Sequence, residues 1–219
     1  MRLKSILAAL ILAAIIAAPA SALVLGLDWG TGQSPVTINY FGSSLSVYAG
    51  SLKGYLGGQL GNPLPPNDGT YFGELFCVDL DHFISVPTEY EVESLTTAEL
   101  ANGGRLAWMY QNNIAQAKNG DSDIAAALQI ALWDVVTDGG DGLDTGNFQY
   151  VSGLASRSTV SSATMIEESA GKVGEATFLR TIGPNGQSMI TIPVPEPGTF
   201  GLLGLGFGLI SFGFLRKRS

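Results

Sequence analysis

The segment Ile124 to Val136, IAAALQIALWDVV, is apolar nearly all round, which predicts a helix buried on every face. Gln129 sits at its centre, with Ala125, Leu132 and Trp133 on neighbouring turns. A buried carboxamide without partners costs about 2–7 kcal/mol, so something must bond to that side chain or consume it. Cys77 is the second unusual residue, the single cysteine among 219 residues. Flanked by Phe76 and Val78, it reads either as an inert buried thiol or as a free thiol in an oxidising setting. His82 lies five residues on and would complete a Cys–His nucleophile. Strand alternation, however, sends positions 77 and 82 to opposite faces, and no other histidine is present to act as base. A protease or acyltransferase is therefore not expected. If the strand continues, Asp79 and Asp81 share the face of Cys77, where they either orient a site or are solvated edge carboxylates. Asp138, Asp141 and Asp144 gather three carboxylates in a glycine-rich stretch, as hard-cation sites do. The spacing is not that of an EF-hand, and Asp-Gly clusters are also ordinary turns, so calcium and a plain turn both stay open. The expected site contains no metal and no cofactor.

Composition removes several function classes. One cysteine excludes an internal disulfide, a CxxC redox pair and a multi-cysteine zinc site; one histidine excludes a multi-histidine metal centre. The formal net charge is −8 and the pI about 4.5, which argues against nucleic acid because phosphate binding needs a basic face. Mean hydropathy is +0.26, high for a soluble protein, and the excess lies at the two chain ends.

The elements that would position Cys77 and Gln129 are strands, a helical insert, and strands again, which is an α+β fold built on a small β-sandwich or barrel. Val36 to Phe41 and Ser44 to Tyr48 alternate apolar and polar residues around Gly42-Ser43, and Tyr71 to Phe83 is a further strand candidate carrying Cys77. Asn62 to Gly69, with three prolines, reads as a loop. The insert spans about residues 96–136. Thr96 and Glu99 match a capping box, Gly103-Gly104 interrupts, and Arg105 to Lys118 resumes with Leu106, Met109 and Tyr110 at helical spacing. Asn119-Gly120 ends that helix, and Asp121, Ser122 or Asp123 caps the next, Ile124 to Val136. Ser158 to Gly171 is a weaker helical segment. Phe178 to Ile182 and Ser188 to Val194 flank Pro184-Asn185-Gly186, a hairpin signal.

Phe76-Cys77-Val78-Asp79-Leu80, followed about fifty residues later by Leu128-Gln129-Ile130-Ala131-Leu132-Trp133, resembles the thioester domains of bacterial surface proteins. The intervening Arg105-Leu106-Ala107-Trp108-Met109-Tyr110 is similar to the helix that family places between the two, so the resemblance covers about residues 72 to 138. It implies that Cys77 condenses with Gln129 with loss of ammonia. A partner amine would then attack the Gln129 carbonyl carbon and release the thiolate. Asp79, His82 and Trp133 are the candidate supporting residues. Leu128 stands where the family usually has threonine. The implied protein is a single-use covalent adhesin and not an enzyme. The alternative is a non-covalent structural component of an extracellular matrix, with Cys77 packed and Gln129 bonded to backbone groups.

Both ends read as addresses. Arg2 and Lys4, the apolar run Ile6 to Ala18, and Ala20-Ser21-Ala22 make residues 1–22 a secretory signal peptide. At the other end, residues 194–219 combine Val194-Pro195-Glu196-Pro197, the uncharged run Thr199 to Leu215 and the basic Arg216-Lys217-Arg218. This tripartite tail resembles the PEP-CTERM sorting signal of exported bacterial proteins, with Pro195, Glu196 and Pro197 as its motif. The resemblance implies processing by an exosortase, a transient inner-membrane span over 199–215, and a final place at the cell surface or outside it. Association with a polysaccharide matrix would follow from that signal's usual setting alone. Residues 23–193 are then the extracellular domain; without both signals, residues 23–195 carry about −12, which suits a soluble, self-repelling domain.

Overall fold

The computed structural model describes residues 23–56, 70–184 and 186–192. The expected signal peptide, the loop Asn62 to Gly69 and the sorting tail with its apolar run lie outside the described residues. Among the described residues no helix is long and apolar enough to cross a membrane.

The fold is α+β, and the strands close into a barrel. Six strands, β1 (Leu23–Trp29), β4 (Leu52–Leu56), β5 (Thr70–Cys77), β6 (Thr88–Thr96), β8 (Thr177–Thr181) and β9 (Met189–Thr191), form the ring β1-β4-β5-β9-β8-β6. Every neighbouring pair is antiparallel. Closure removes the exposed edges that an open sheet would carry. A separate three-stranded sheet has the order β3-β2-β7, from β2 (Ser34–Tyr40), β3 (Ser43–Ala49) and β7 (Phe148–Ser152). The expected β2–β3 hairpin and the β8–β9 hairpin are both present. Tyr71 to Phe83 is a strand only as far as Cys77; the chain then turns.

Three helices, α1 (Gly103–Lys118), α2 (Ser122–Asp138) and α3 (Ser156–Glu168), join β6 to β8. The insert is therefore longer than the expected 96–136: it runs from Thr97 to Ala176 and carries β7 as well. The capping box does not form. Thr96 makes no side-chain cap, because residues Thr97–Glu99 are a short 3₁₀ turn and the long helix starts only at Gly103. Gly103-Gly104 opens α1, and the break in the helical segment falls just before it, at residues 100–102. Gly103 is there because α1 begins against that turn, where an added Cβ would sit 1.6 Å from the Thr97 carbonyl oxygen. Alanine in a helix is ordinarily better than glycine by about 1 kcal/mol. Here Gly103→Ala should instead lower stability, by about 2–4 kcal/mol on thermal denaturation, since backbone on both sides must move.

Helix α2 is the centre of the molecule, with every residue from Ile124 to Val135 buried. Asp121 caps it, accepting from the Ile124 amide at 3.1 Å. One face, with Ala126, Ile130 and Trp133, packs on the barrel core formed by Leu25, Leu52, Leu75, Val92, Leu179 and Met189. Another, with Leu128, Ala131, Leu132 and Val135, packs with α1, α3 and the opposite side of β5. Strand β5 divides in the same way: Leu75 and Cys77 belong to one core, Phe76 to the other.

Candidate functional site

Cys77 is the last residue of β5, and Gln129 lies midway along α2, between its two packing faces. On one side β5 continues its ladder with β9, where Cys77 is paired in register with Met189 and the Val78 amide donates to the Ser188 carbonyl at 2.9 Å. On the other side the partner strand runs out. β4 begins at Leu52, which pairs with Leu75, so nothing in that strand reaches the N–H and C=O of Cys77. A strand residue directs both groups to the same side, and both would be buried without partners.

Gln129 takes that vacant place. The Cys77 amide donates to Gln129 Oε1 at 3.0 Å, and Gln129 Nε2 donates to the Cys77 carbonyl at 2.7 Å. The side-chain amide thus copies one residue of a neighbouring strand. Gln129 is 1% exposed and Cys77 7%, so neither bond competes with water. The two residues singled out by the sequence are brought together across 52 positions of chain. Burial, followed by the nearby charge of Asp79, pushes the Cys77 thiol up to about 12.

The pair lines a pocket of about 160 Å³. Trp133 lines it too; its ring is 2% exposed and its Nε1–H is buried without a hydrogen-bond partner. Trp29, Tyr48 and Phe83 also line the pocket while remaining largely exposed, and the Trp29 and Tyr48 rings meet edge to face at 5.8 Å.

The aspartates and histidine after Cys77 are arranged differently from the expectation. Because the strand ends at Cys77, alternation no longer sets their faces. Asp79 accepts from the Asp81 amide at 2.9 Å and lies 2.8 Å from His82 Nδ1. Asp81 accepts from the Tyr40 hydroxyl at 3.1 Å, and Tyr40 is pushed up to about 12 by burial and then by that bond. Asp79 and His82 form a local turn pair and are not among the described residues lining the pocket.

The acidic loop also differs. Its three converging carboxylates are Asp134, Asp138 and Asp141, with Asp134 from α2 in the position expected of Asp144. The sequence signal for Asp134 is its charge inside an otherwise apolar helix, the same anomaly that marks Gln129.

Residues 193–218 match the model of the PEP-CTERM protein-sorting motif. That signal marks an exported protein, processed by an exosortase and destined for the cell surface or exterior. The match covers the tail and does not extend into residues 23–192. No curated protein and no solved structure matches the chain.

Proposed function

We propose that the exported domain is a single-use covalent binder, in which Cys77 and Gln129 form an internal thioester that a partner amine opens. The observation that carries this reading is the reciprocal pairing of the Gln129 amide with the Cys77 backbone at the floor of a pocket. Cys77 Sγ attacks Gln129 Cδ; the Cδ–Nε2 bond breaks, and the thiol proton leaves with the nitrogen as ammonia. An amine later attacks Cδ, the C–S bond breaks, and the proton of the amine passes to the thiolate. One amide forms per molecule, so the protein does not turn over.

The surroundings suit each step. The Cys77 amide already donates to the oxygen on which negative charge develops when Cδ becomes tetrahedral. The unpartnered Trp133 Nε1–H is a second donor lining the same space. The buried Leu52 and Trp133 line the pocket beside the pair and shield an activated acyl group from water. The exposed rings of Trp29, Tyr48 and Phe83 attract an ammonium such as that of a partner lysine.

A second reading has its own support. The two hydrogen bonds satisfy the Gln129 amide with no covalent bond, as a non-covalent matrix component would require. Intact mass of the exported protein, beside Cys77→Ala and Gln129→Ala, separates the two. The covalent reading expects a wild type lighter than its sequence by one ammonia and both variants at full mass. Methylamine should then add once, at position 129. A wild type at full mass, with the glutamine intact at position 129 in the peptide map and not hydrolysed to glutamate, would leave the matrix reading in its place.

A further inference from the structure

Among the described residues, Asp134 has both oxygens of a fully buried carboxyl group without a hydrogen-bond partner. An isolated buried carboxylate is costly, and a protonated one would still leave its O–H without an acceptor. Its carboxyl is pushed up to about 7, first by burial and then by the charges of Asp141 and Asp138, while the Gly142 amide and Arg105 act the other way. Arg105 is not its ion-pair partner: the guanidinium hydrogen bonds go to the carbonyls of Gly139 and Ile166 and to Ser169 Oγ.

What Asp134 does face is two more carboxylates. Ligand oxygens of Asp134, Asp138 and Asp141 all lie within 4.8 Å of one another. Asp138 is held in place by Asn147 Nδ2 at 2.9 Å and the Phe148 amide at 2.6 Å, both donating to its oxygens. Gly146 leaves the space open, since a Cβ there would lie 2.6 Å from both Asp138 Oδ2 and Asp141 Oδ2. Carboxylates that converge on a buried, unpartnered member either leave it holding its proton or are held together by a cation, and a proton alone would satisfy neither oxygen of Asp134 with a partner.

We propose that Asp134, Asp138 and Asp141 bind a calcium ion that ties the end of helix α2 to the loop after it. The donors are all oxygen, which selects a hard cation over zinc or copper. Oxygens bound at about 2.3–2.6 Å to one calcium ion can lie up to about 5 Å apart, as these do. A glycine-rich loop gives the irregular geometry that calcium accepts, whereas magnesium demands a near-ideal octahedron. An exported protein meets calcium at the concentrations for which extracellular sites have Kd values of about 10⁻⁴–10⁻³ M.

The test is calorimetric titration of the chelator-treated full chain with calcium chloride, together with thermal denaturation. One ion per chain is expected, and a rise in Tm of about 5–10 °C at calcium a hundredfold above Kd. Asp134→Asn should abolish that rise while raising the calcium-free Tm, because it removes the unpaired charge. The exposed Asp141→Asn keeps the test valid if the buried variant fails to fold, and should weaken calcium binding at least tenfold. No calcium-dependent rise in the wild type, or an undiminished rise in Asp141→Asn, would overturn the proposal. An equal rise with magnesium would overturn the choice of ion.

Discussion

Gln129→Ala should cost the folded domain about 3–5 kcal/mol in urea denaturation, and the companion variant Cys77→Ala reveals what that loss consists of. Truncating Gln129 leaves the buried N–H and C=O of Cys77 without partners, at about 1–3 kcal/mol each. It also opens a cavity between two packed cores that cannot collapse independently. Cys77→Ala keeps the backbone and therefore both hydrogen bonds, and loses only a small apolar group. If the hydrogen bonds alone fasten α2 to β5, Cys77→Ala costs about 1 kcal/mol and the two variants differ widely. If a thioester is present, either variant deletes the same cross-link. By the loop-closure arithmetic used for disulfides, a link across some fifty residues contributes about 4 kcal/mol, so Cys77→Ala would then approach Gln129→Ala. Gln129→Glu completes the set and reproduces the product of thioester hydrolysis. The introduced carboxylate, once ionised, would turn an acceptor towards the Cys77 carbonyl, so burial and repulsion raise its folded-state pKa above the usual value of about 4.3. Stability of that variant should fall as pH rises from there through the raised value, because the folded state holds the proton that the unfolded state releases. A profile between pH 4 and 8 no steeper than that of the wild type, which already carries the slope of the raised Asp134, would mean that the introduced side chain has left the Cys77 backbone.

The α+β class was legible from the order of strands, helices and strands, and the contact of Cys77 with Gln129 was legible too, whereas the details that bring about both were not. Gln129 was legible because an amide inside IAAALQIALWDVV contradicts its surroundings, and a buried contradiction needs a partner. Its meeting with Cys77 followed from the thioester-domain resemblance. The way they meet, side-chain amide against strand backbone, depends on β4 starting only at Leu52, and a strand's length relative to its neighbour is not a local property. Barrel closure is non-local in the same sense. β6, TEYEVESLT, carries so many charges that only Val92 is buried, and it is a strand because β1 and β8 flank it. The Thr96/Glu99 pattern is a true helix-start signal overridden by tertiary structure, since the chain turns once at Thr97–Glu99 before α1 can pack. Giving His82 a face requires β5 to extend past Cys77, and the turn held by Asp79 removes the basis for that step. Asp134 carries the same kind of signal as Gln129. It was hidden because three aspartates nearby offered a simpler grouping by sequence distance, while the helix delivers Asp134 to the loop in space.

Alkylation of Cys77 in the native protein should be slow and, if the thiol is free, should accelerate nearly tenfold for each pH unit between pH 8 and 11. The cause is the thiol's elevation to about 12, which follows from burial and, secondarily, from Asp79. At pH 8 such a thiol is about 10⁻⁴ ionised, against roughly a quarter for an ordinary cysteine of pKa about 8.5. The thiolate that does form is the more nucleophilic for its high pKa, which recovers about one and a half of those roughly three and a half orders of magnitude. A net slowing of roughly a hundredfold relative to the urea-unfolded chain remains, before the burial of the Cys77 side chain itself is counted. Stability must follow the same linkage: the unfolded thiol ionises near pH 9 and the folded one near 12, so a free thiol makes the native state progressively less stable as pH rises through that window. Asp79→Asn removes the secondary cause and should move the alkylation profile slightly to lower pH, while Cys77→Ala removes the thiol's share of the stability slope and leaves that of raised tyrosines such as Tyr40. A thioester changes every one of these readings, because sulfur held as an acyl derivative does not titrate. Alkylation would then be absent at any pH that leaves the bond intact and would appear only after an amine has been captured. A unit slope of log rate against pH in the freshly exported protein would therefore count against covalent capture. Silence that methylamine breaks, with one alkylation for each amine added, would tie the sulfur of Cys77 to the acyl carbon of Gln129.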